Sequence, residues 1–451
     1  MKRKKKKRYK KNQLFLRRII MFIIIIIIIL CIYHMRVKAS KENASVNAFS
    51  SINEIIDEIE TDAYANINRY IVYGTHFNIE GEIDLHEDNP IESAEVIAKT
   101  ASEEEIGIDT EYTYENHKLS FSTLKEINTG LDLESLNVED YYILLKVEFS
   151  ENEIKYYSLS NDTEYGNIEY YTLTRNHTNN RIYIDFTTIH NMPILGFHIT
   201  TVNALPEDVY DVVIDPGHGG NDVGAVSGRY MESEIALDCA LELKTQLEAI
   251  GLKVLLTRDG TESEEYTMYN IYDEDGRITM ANKSHAKILI SLHLNSNLSD
   301  NVDGGVEIYA SPNSNLTLAK MLADNIVRTA GTQYSTMETD KIEEGVYVRT
   351  IELQNYRNSS SYFKTYNGIF DSIPYLYIIR EIGGIATGAY VDGTNKAYGV
   401  NEYRNSNVGV EGYLVELGYI NVDEDLDNIL ENGNLYAQAI TNSIVNFYEI
   451  K

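Results

Sequence analysis

The sequence of 451 residues contains no tryptophan and only two cysteines. Cys31 lies in an apolar run and Cys239 in a predicted helix, so a disulfide framework is excluded. Basic residues are scarce beyond the N-terminus: residues 1–35 hold 11 of the 39 Lys and Arg and no acid, whereas the rest of the chain has 28 basic and 69 acidic side chains. Because so acidic a body repels phosphates, we expect no nucleic-acid partner. A phosphate-binding glycine motif is also missing, so we expect no nucleotide ligand.

The N-terminus has the pattern of an export signal. Residues 1–18 form a basic tail, and the segment at 19–35 opens with 15 apolar residues, Ile19 to Tyr33. Positive charge before an apolar run predicts a cytoplasmic tail and transfer of the following chain across the membrane. The length of the run lies between that of a signal-peptide core and that of a comfortable span. We predict an uncleaved single-pass anchor in the cell membrane with the body outside the cell; cleavage after Ala39 and secretion to the cell wall is the alternative.

Two regions separate this segment from the C-terminal half. Residues 36–69 are predicted to be a linker with a short helix, because the spacing from Ile52 to Ile67 is helical. From 70 to 206 the pattern changes to short alternating runs punctuated by Asn, Asp, Gly and Ser, which predicts an all-β, sandwich-like domain. Nothing in its sequence identifies a ligand.

The remaining chain, 207–451, alternates strands and helices and is predicted to be an α/β domain with a mostly parallel sheet. We predict helices at 232–250, 278–285, 315–329 and 435–447, and we place Cys239 in the core. The stretch 331–412 is far longer than an ordinary α/β connection. The apolar segments within it predict that it is partly folded. Two interpretations stay open: it forms a wall or lid of a cleft, or it is a surface elaboration. We predict that the all-β domain is dispensable for the chemistry, so that a chain from about Ala204 to Lys451 folds and acts alone.

Four chemically capable side chains are expected at one edge of this sheet. His218 follows a buried strand in a glycine-rich loop, and His293 and Glu416 lie near the ends of two further strands. A helix N-terminus brings Glu232 beside the first, with Glu234 as a competitor. Two histidines and a carboxylate are the ligand set of a catalytic zinc site, and a second carboxylate provides the general base that hydrolysis needs.

The C-terminal region resembles the zinc-dependent N-acetylmuramoyl-L-alanine amidases of the amidase-3 type over about residues 210–449. The motifs that carry the resemblance occur in the family's order: Val212-Val-Ile-Asp-Pro-Gly-His-Gly-Gly220, Gly224-Ala225, Glu232, Leu256-Thr-Arg258, Arg277, Ala281-Asn282, Ser291-Leu-His-Leu-Asn295, Gly305-Val-Glu307 and Leu414-Val-Glu-Leu-Gly-Tyr419.

The resemblance implies that His218, Glu232 and His293 bind Zn²⁺ and that Glu416 is the catalytic acid/base. It also implies hydrolysis of the amide bond between N-acetylmuramic acid and L-alanine in peptidoglycan. Two alternatives stay open: another zinc amide hydrolase of the same polymer, or a membrane-anchored, inactive wall-binding or scaffold protein. A regulatory protein partner is possible, but the sequence identifies none.

Overall fold

The structure is a computed structural model. It describes residues 55–86, 89–102, 104–124, 129–160, 168–173, 179–263, 276–297, 303–312, 314–352, 372–382 and 408–450. The chain divides into two compact units, residues 1–56 and 57–451, and every described strand and α-helix belongs to the second. The predicted basic tail at 1–18 and apolar segment at 19–35 lie outside the described residues. Within the described ranges, no helix is both long and apolar enough to cross a membrane.

The first half of the second unit consists of short strands. In chain order they are β1 (Ala65–Tyr73), β2 (His76–Asp84), β3 (Ile91–Thr100), β4 (Glu105–Ile108), β5 (Glu111–Glu115), β6 (Lys118–Ser122), β7 (Leu131–Asp132), β8 (Asp140–Phe149), β9 (Glu153–Tyr157), β10 (Leu159–Ser160), β11 (Ile168–Tyr171), β12 (Asn179–Ile189) and β13 (Met192–Val202).

These strands form two sheets that share one apolar core. One sheet has the order β10-β1-β2-β6-β5, and the other has the order β11-β12-β13-β8-β3-β4. Alternate residues of both sheets are buried in the same cluster, among them Ile67, Phe77, Tyr141 and Phe197. The all-β prediction therefore describes this part of the chain; we call it the β-sandwich (residues 65–202).

The predicted helix from Ile52 to Ile67 is wrong over its described part. Only Ile56–Glu58 forms a single 3-10 turn, and β1 begins at Ala65. The reason is the alternation of small or apolar residues with asparagine. Ala65 and Ile67 are 0% and 2% exposed on the core side, and this spacing of two is that of a strand.

The second half alternates strands with helices, as predicted. Its strands are β14 (Val212–Pro216), β15 (Val226–Ser227), β16 (Tyr230–Met231), β17 (Val254–Leu256), β18 (Ile288–Asn295), β19 (Glu307–Ala310), β20 (Lys341–Glu343), β21 (Val346–Tyr347), β22 (Thr350–Glu352), β23 (Ser372–Pro374), β24 (Val408–Gly409) and β25 (Glu411–Tyr419). Its helices are α1 (Glu232–Ala249), α2 (Arg277–Lys283), α3 (Leu316–Ala330), α4 (Tyr377–Ile382) and α5 (Asp423–Phe447).

A seven-stranded sheet organises this α/β domain, in the order β17-β14-β18-β25-β19-β21-β20. Strands β17, β14, β18 and β25 are mutually parallel, and β19 runs antiparallel to β25. Helices α1, α3 and α5 cover one face with a shared core that includes Cys239. Because parallel strands end at the same edge, the residues at the carboxyl ends of β14, β18 and β25 are brought together.

The last helix begins at Asp423 and not at the predicted 435. In the sequence, the Asn432-Gly433 pair suggests that no helix continues through it. In the structure, Asn432 departs from helical geometry only locally, at φ −124° and ψ 22°, and the helix runs on. The three acidic residues of the first turn, Asp423 to Asp425, suit the positive end of the helix dipole. The described parts of 331–412 are folded: β21 pairs with β19 in the sheet, and β22 pairs with β23.

The β-sandwich and the α/β domain are joined by more than a linker. Strand β24, which directly precedes β25, pairs in parallel with β1 of the β-sandwich. Leu173 lies just after β11 but is fully buried in the core of the α/β domain. Lys287, at the amino edge of the sheet, is fully buried 5.5 Å from the ring of Tyr170. These contacts argue against the expectation that a chain beginning near Ala204 is self-sufficient.

We therefore predict that Leu173→Ala destabilises the α/β domain, by about 2–5 kcal/mol, because a leucine is deleted from a closed core. Hydrogen exchange of β14 and β18, followed by mass spectrometry, should become faster. Leu241→Ala is the matched control, since Leu241 is 40% exposed on α1 and should change stability by less than about 0.5 kcal/mol. Unchanged protection of β14 and β18 in Leu173→Ala would mean that the two domains are independent.

Candidate active site

Three of the four predicted side chains meet at the carboxyl edge of the sheet. His218 lies in the loop after β14, Glu232 is the first residue of α1, and His293 lies near the end of β18. Their ligand atoms are all within 4.8 Å of one another. The competitor Glu234 is exposed and is not part of this cluster.

Glycine makes this approach possible. A Cβ on Gly217 would lie 2.3 Å from the His293 ring. A Cβ on Gly224 would lie 2.6 Å from Glu232 Oε2 and 2.7 Å from His218 Cδ2. The backbone of His218 itself has a positive φ of 61°, which is uncommon for a non-glycine residue. The glycines around His218 therefore leave space in which the ligand side chains converge.

Glu232 is the centre of the cluster. Its Oε1 lies 3.0 Å from His218 Nε2 and 2.9 Å from His293 Nδ1, and its Oε2 accepts a hydrogen bond of 2.9 Å from the backbone N–H of Ala225. Burial opposes the charged carboxylate, but the two imidazoles outweigh it and hold the pKa of Glu232 well below its ordinary value. Burial likewise opposes the charged form of His218, but Glu232 and Asp222 together raise its pKa. The carboxylates thus favour positive charge at this position.

Asp222 is a site residue that sequence reasoning missed. Its Oδ2 lies 3.0 Å from His218 Nδ1, and its Oδ1 accepts a hydrogen bond of 3.2 Å from the N–H of Gly224. A carboxylate on the far nitrogen of a histidine fixes the ring and leaves the other nitrogen available for a metal. The available signal was an acidic residue four positions after a candidate ligand in the same glycine-rich loop.

Buried charged side chains hold the loop that contains His218 against the sheet. Asp215, fully buried in β14, accepts hydrogen bonds from Thr257 Oγ1 at 2.6 Å, Ser291 Oγ at 2.7 Å and Arg277 Nη1 at 2.9 Å. Burial opposes its ionisation, but Arg277 and the two hydroxyls lower the pKa of Asp215. The same guanidinium donates through Nη2 to the backbone oxygen of His218 at 2.8 Å. Asp215 and Arg277 therefore fix the loop relative to the sheet.

A second arginine supports the next part of the loop. Arg258 donates to the backbone oxygens of Pro216 at 2.9 Å, Gly217 at 2.8 Å and Ser233 at 2.6 Å. It therefore connects the end of β14 with the first turn of α1. Both arginines are occupied in holding the backbone, and both belong to the motifs on which the family resemblance rests.

Glu416 stands beside this cluster on the neighbouring strand. In the parallel register of β18 and β25 it is the direct partner of His293. Its Oε2 is buried and has no hydrogen-bond partner among the described residues. Burial, with the negative charges of Glu232 and Glu307, raises the pKa of Glu416 well above its ordinary value. An unpartnered buried carboxylate oxygen is costly, which is typical of a group with a catalytic or ligand-binding task.

These residues fit a zinc ion. Two imidazoles and one carboxylate are a donor set that zinc prefers, and three protein ligands leave one coordination position open. The glycines supply the space, Asp222 supplies the supporting carboxylate, and the unpartnered Oε2 of Glu416 lies at the same edge. The roles of His218, Glu232, His293 and Glu416 stay predictions that this arrangement supports.

The glycine cradle gives a direct test. We predict that Gly224→Ala lowers zinc affinity more than tenfold, because its Cβ would displace Glu232 and His218. Gly228→Ala is the matched control: its φ of 61° is close to the 68° of Gly224, but nothing lies within 4 Å of the added Cβ. Both variants bear similar backbone strain, and only the first crowds the ligands. Equal zinc affinities in a chelator competition titration would contradict the assignment.

An α/β sheet with a His-Glu-His cluster and an unpartnered carboxylate at its carboxyl edge is an arrangement that fits a metal-dependent hydrolase. Residues 212–361 match the family model described as N-acetylmuramoyl-L-alanine amidase, of the Amidase_3 type. This match confirms the resemblance that the motifs predict.

Individual relatives agree with this family. A germination-specific N-acetylmuramoyl-L-alanine amidase of Bacillus subtilis strain 168 is 29% identical over 152 residues, which are 32% of this chain and 63% of that protein. The amidase LytC of the same strain is 30% identical over 142 residues, or 32% of this chain and 27% of that protein. A sporulation-specific amidase of that strain is 26% identical over 231 residues, or 49% of this chain and 79% of that protein.

The matches thus span less than two thirds of the first two relatives, at 63% and 27%. Among solved structures, the amidase AmiC2 of Nostoc punctiforme shares 24% identity and a TM-score of 0.34, covering 54% of this chain and 98% of that one.

Proposed function

We propose that this chain is a zinc-dependent N-acetylmuramoyl-L-alanine amidase that hydrolyses the amide bond between N-acetylmuramic acid and L-alanine in peptidoglycan. The observation that supports it most is the convergence of His218, Glu232 and His293 within 4.8 Å beside the unpartnered carboxylate of Glu416. A family match over residues 212–361 supports the substrate class.

In this proposal His218, Glu232 and His293 hold the zinc ion, which supplies Lewis-acid polarisation of the scissile carbonyl when it is bound. Asp222 keeps the His218 ring oriented through Nδ1. The two buried arginines hold the loop in place, because Arg258 donates to the backbone oxygens of Pro216 and Gly217 and Arg277 donates to that of His218.

Glu416 performs the proton transfers. Its Oε2, which has no other partner among the described residues, would accept a proton from the attacking water and return it to the departing nitrogen of L-alanine. Both transfers use the same carboxylate, so the group is regenerated in each turnover. A burial-raised pKa suits a group that has to hold the proton between the two transfers.

We further propose that the body acts outside the cell, where peptidoglycan is. The proposal rests on the basic tail at 1–18 and the apolar segment at 19–35, which together have the pattern of a signal-anchor or signal peptide. The membrane contact through this segment and the linker that follows are part of the same proposal.

Mass analysis of the fragments released from purified peptidoglycan tests the reaction. We expect stem peptides with a free L-alanine amine, and none after treatment with a chelator. Release of a C-terminal amino acid or of acetate would instead identify a carboxypeptidase or a deacetylase. Release of nothing by the zinc-loaded chain would identify an inactive wall-binding protein.

Two substitutions separate the proposed roles. Glu416→Gln should keep zinc and fold but lower turnover by at least about 10²-fold, because the amide has the same shape and cannot accept the proton. His218→Ala should instead lose zinc, since only two protein ligands remain. Zinc content by metal analysis and turnover on muramyl peptides distinguish the two. Loss of zinc from Glu416→Gln would show that Glu416 is a ligand and that its assignment is wrong.

A further inference from the structure

One fully buried carboxylate near the site has no role in the proposed reaction. Glu307 is the first residue of β19 and is 0% exposed. Among the described residues no cation lies within 4.0 Å of it, so its charge is not balanced by an ion pair. Burying a carboxylate without an ion-pair partner is costly in general, so the fold retains Glu307 against a penalty.

Three donors from three strands satisfy Glu307. Asn295 Nδ2 and Tyr309 hydroxyl each donate to its Oε2 at 2.9 Å, and the hydroxyl of Tyr419 donates to Oε1 through a short hydrogen bond. Asn295 closes β18, Tyr309 belongs to β19, and Tyr419 closes β25. Glu307 therefore connects the ends of three adjacent strands, of which two carry His293 and Glu416.

The register shows where this connection acts. Across the sheet, His293, Glu416 and Glu307 form one row of direct partners on β18, β25 and β19. Immediately beyond the row the pairing of β18 and β25 shifts: the next partners are Asn295 and Tyr419, so β25 has one extra residue there. A β-bulge changes the direction in which the neighbouring side chains point, and it disrupts the local ladder.

Glu307 holds the two residues that pair again after this bulge. Asn295 and Tyr419 are register partners, and Glu307 accepts a hydrogen bond from each. Tyr419 is fully buried and is also held through its N–H, which donates to Asp425 Oδ2 at 2.8 Å. On the side of the bulge that is farther from His293 and Glu416, the side chain of Glu307 therefore links β18 to β25. This link lies where the backbone pairing of the two strands is interrupted.

We infer that Glu307 is a positioning residue for the proposed amidase reaction: by closing the bulge that follows Glu416, it fixes the catalytic carboxylate relative to the histidines of the metal centre. The inference rests on the proposed function for its kinetic readout. It assigns to Glu307 no contact with substrate or zinc, and it explains why an uncompensated carboxylate is kept in the interior.

The test compares Glu307→Gln with the wild-type chain, both loaded with zinc, on soluble muramyl peptides. An amide offers only one acceptor atom, so the donor that faces its NH2 group loses its acceptor. We expect kcat to fall tenfold to a hundredfold with KM nearly unchanged, and zinc content to equal that of the wild type. Hydrogen exchange at 416–419 should become faster. Tyr419→Phe, which removes the Oε1 donor together with a 3.4 Å contact to Ser335 Oγ, should change kcat in the same direction.

Thr123→Val is the control for a merely structural effect. Thr123 is fully buried, and its hydroxyl accepts from the N–H of Ile79 at 2.9 Å and donates to Asn78 Oδ1 at 3.1 Å, but it lies in the β-sandwich. It should lose stability and keep its kcat. If Glu307→Gln behaves in the same way, with wild-type kcat per zinc-loaded chain, the inference is overturned.

A double substitution examines whether Glu307 acts through Glu416. Glu416→Asp keeps a carboxylate in a displaced position and should retain measurable turnover. Adding Glu307→Gln to it should lower kcat much less than in the wild-type background; full additivity would overturn the inference. If the wild-type chain itself released no L-alanine amine, the proposed function would fail. The hydrogen-exchange comparison at 416–419 would then still decide the structural part of the inference.

Discussion

The parallel pairing of β14, β18 and β25 is the constraint on which the site depends. Side chains far apart in sequence, His218, His293 and Glu416, reach one another only because these strands run the same way and end at one edge. A slip of one residue between β18 and β25 would turn Glu416 to the opposite face from His293. On the other side of β18, the buried Asp215 of β14 accepts hydrogen bonds from Ser291 of β18, Thr257 and Arg277, which hold β14 against its neighbours.

Much of this arrangement was predictable because it depends on local patterns. Apolar runs ending in His or Glu identify the strands, and a glycine-rich loop after one of them identifies the edge. What the sequence did not indicate are relations between distant segments. Asp222, Glu307 and the bulge before Tyr419 act through contacts with residues of other strands or across a turn, and no periodicity records them. The misplaced start of the last helix has a local cause, since Asn432-Gly433 resembles a helix end.

The β-sandwich is connected to the site by the chain itself. β24 joins a sheet of the β-sandwich and, one residue later, the chain enters β25, which carries Glu416. Glu411, the first residue of β25, is buried; its side chain accepts hydrogen bonds from the hydroxyl of Tyr413 at 2.7 Å and from the N–H of Asn315. The start of the catalytic strand is therefore held by the β-sandwich and by the loop before α3, while its end is held by Glu307.

Charge explains why such a site suits a divalent cation. Glu232, Glu307 and Glu416 lie near one edge of the sheet. Burial raises the pKa of Glu416, and the negative charges of Glu232 and Glu307 raise it further. The nearest arginines, Arg258 and Arg277, donate to backbone oxygens, and Arg277 also pairs with Asp215, so they do not neutralise these carboxylates. Only the imidazoles of His218 and His293 lie within ion-pair distance of Glu232 among the described residues. A cation with affinity for nitrogen and oxygen donors would lower the repulsion among the carboxylates and satisfy the imidazoles without their being protonated. The same electrostatics that make the site costly without a metal would therefore favour the binding of one.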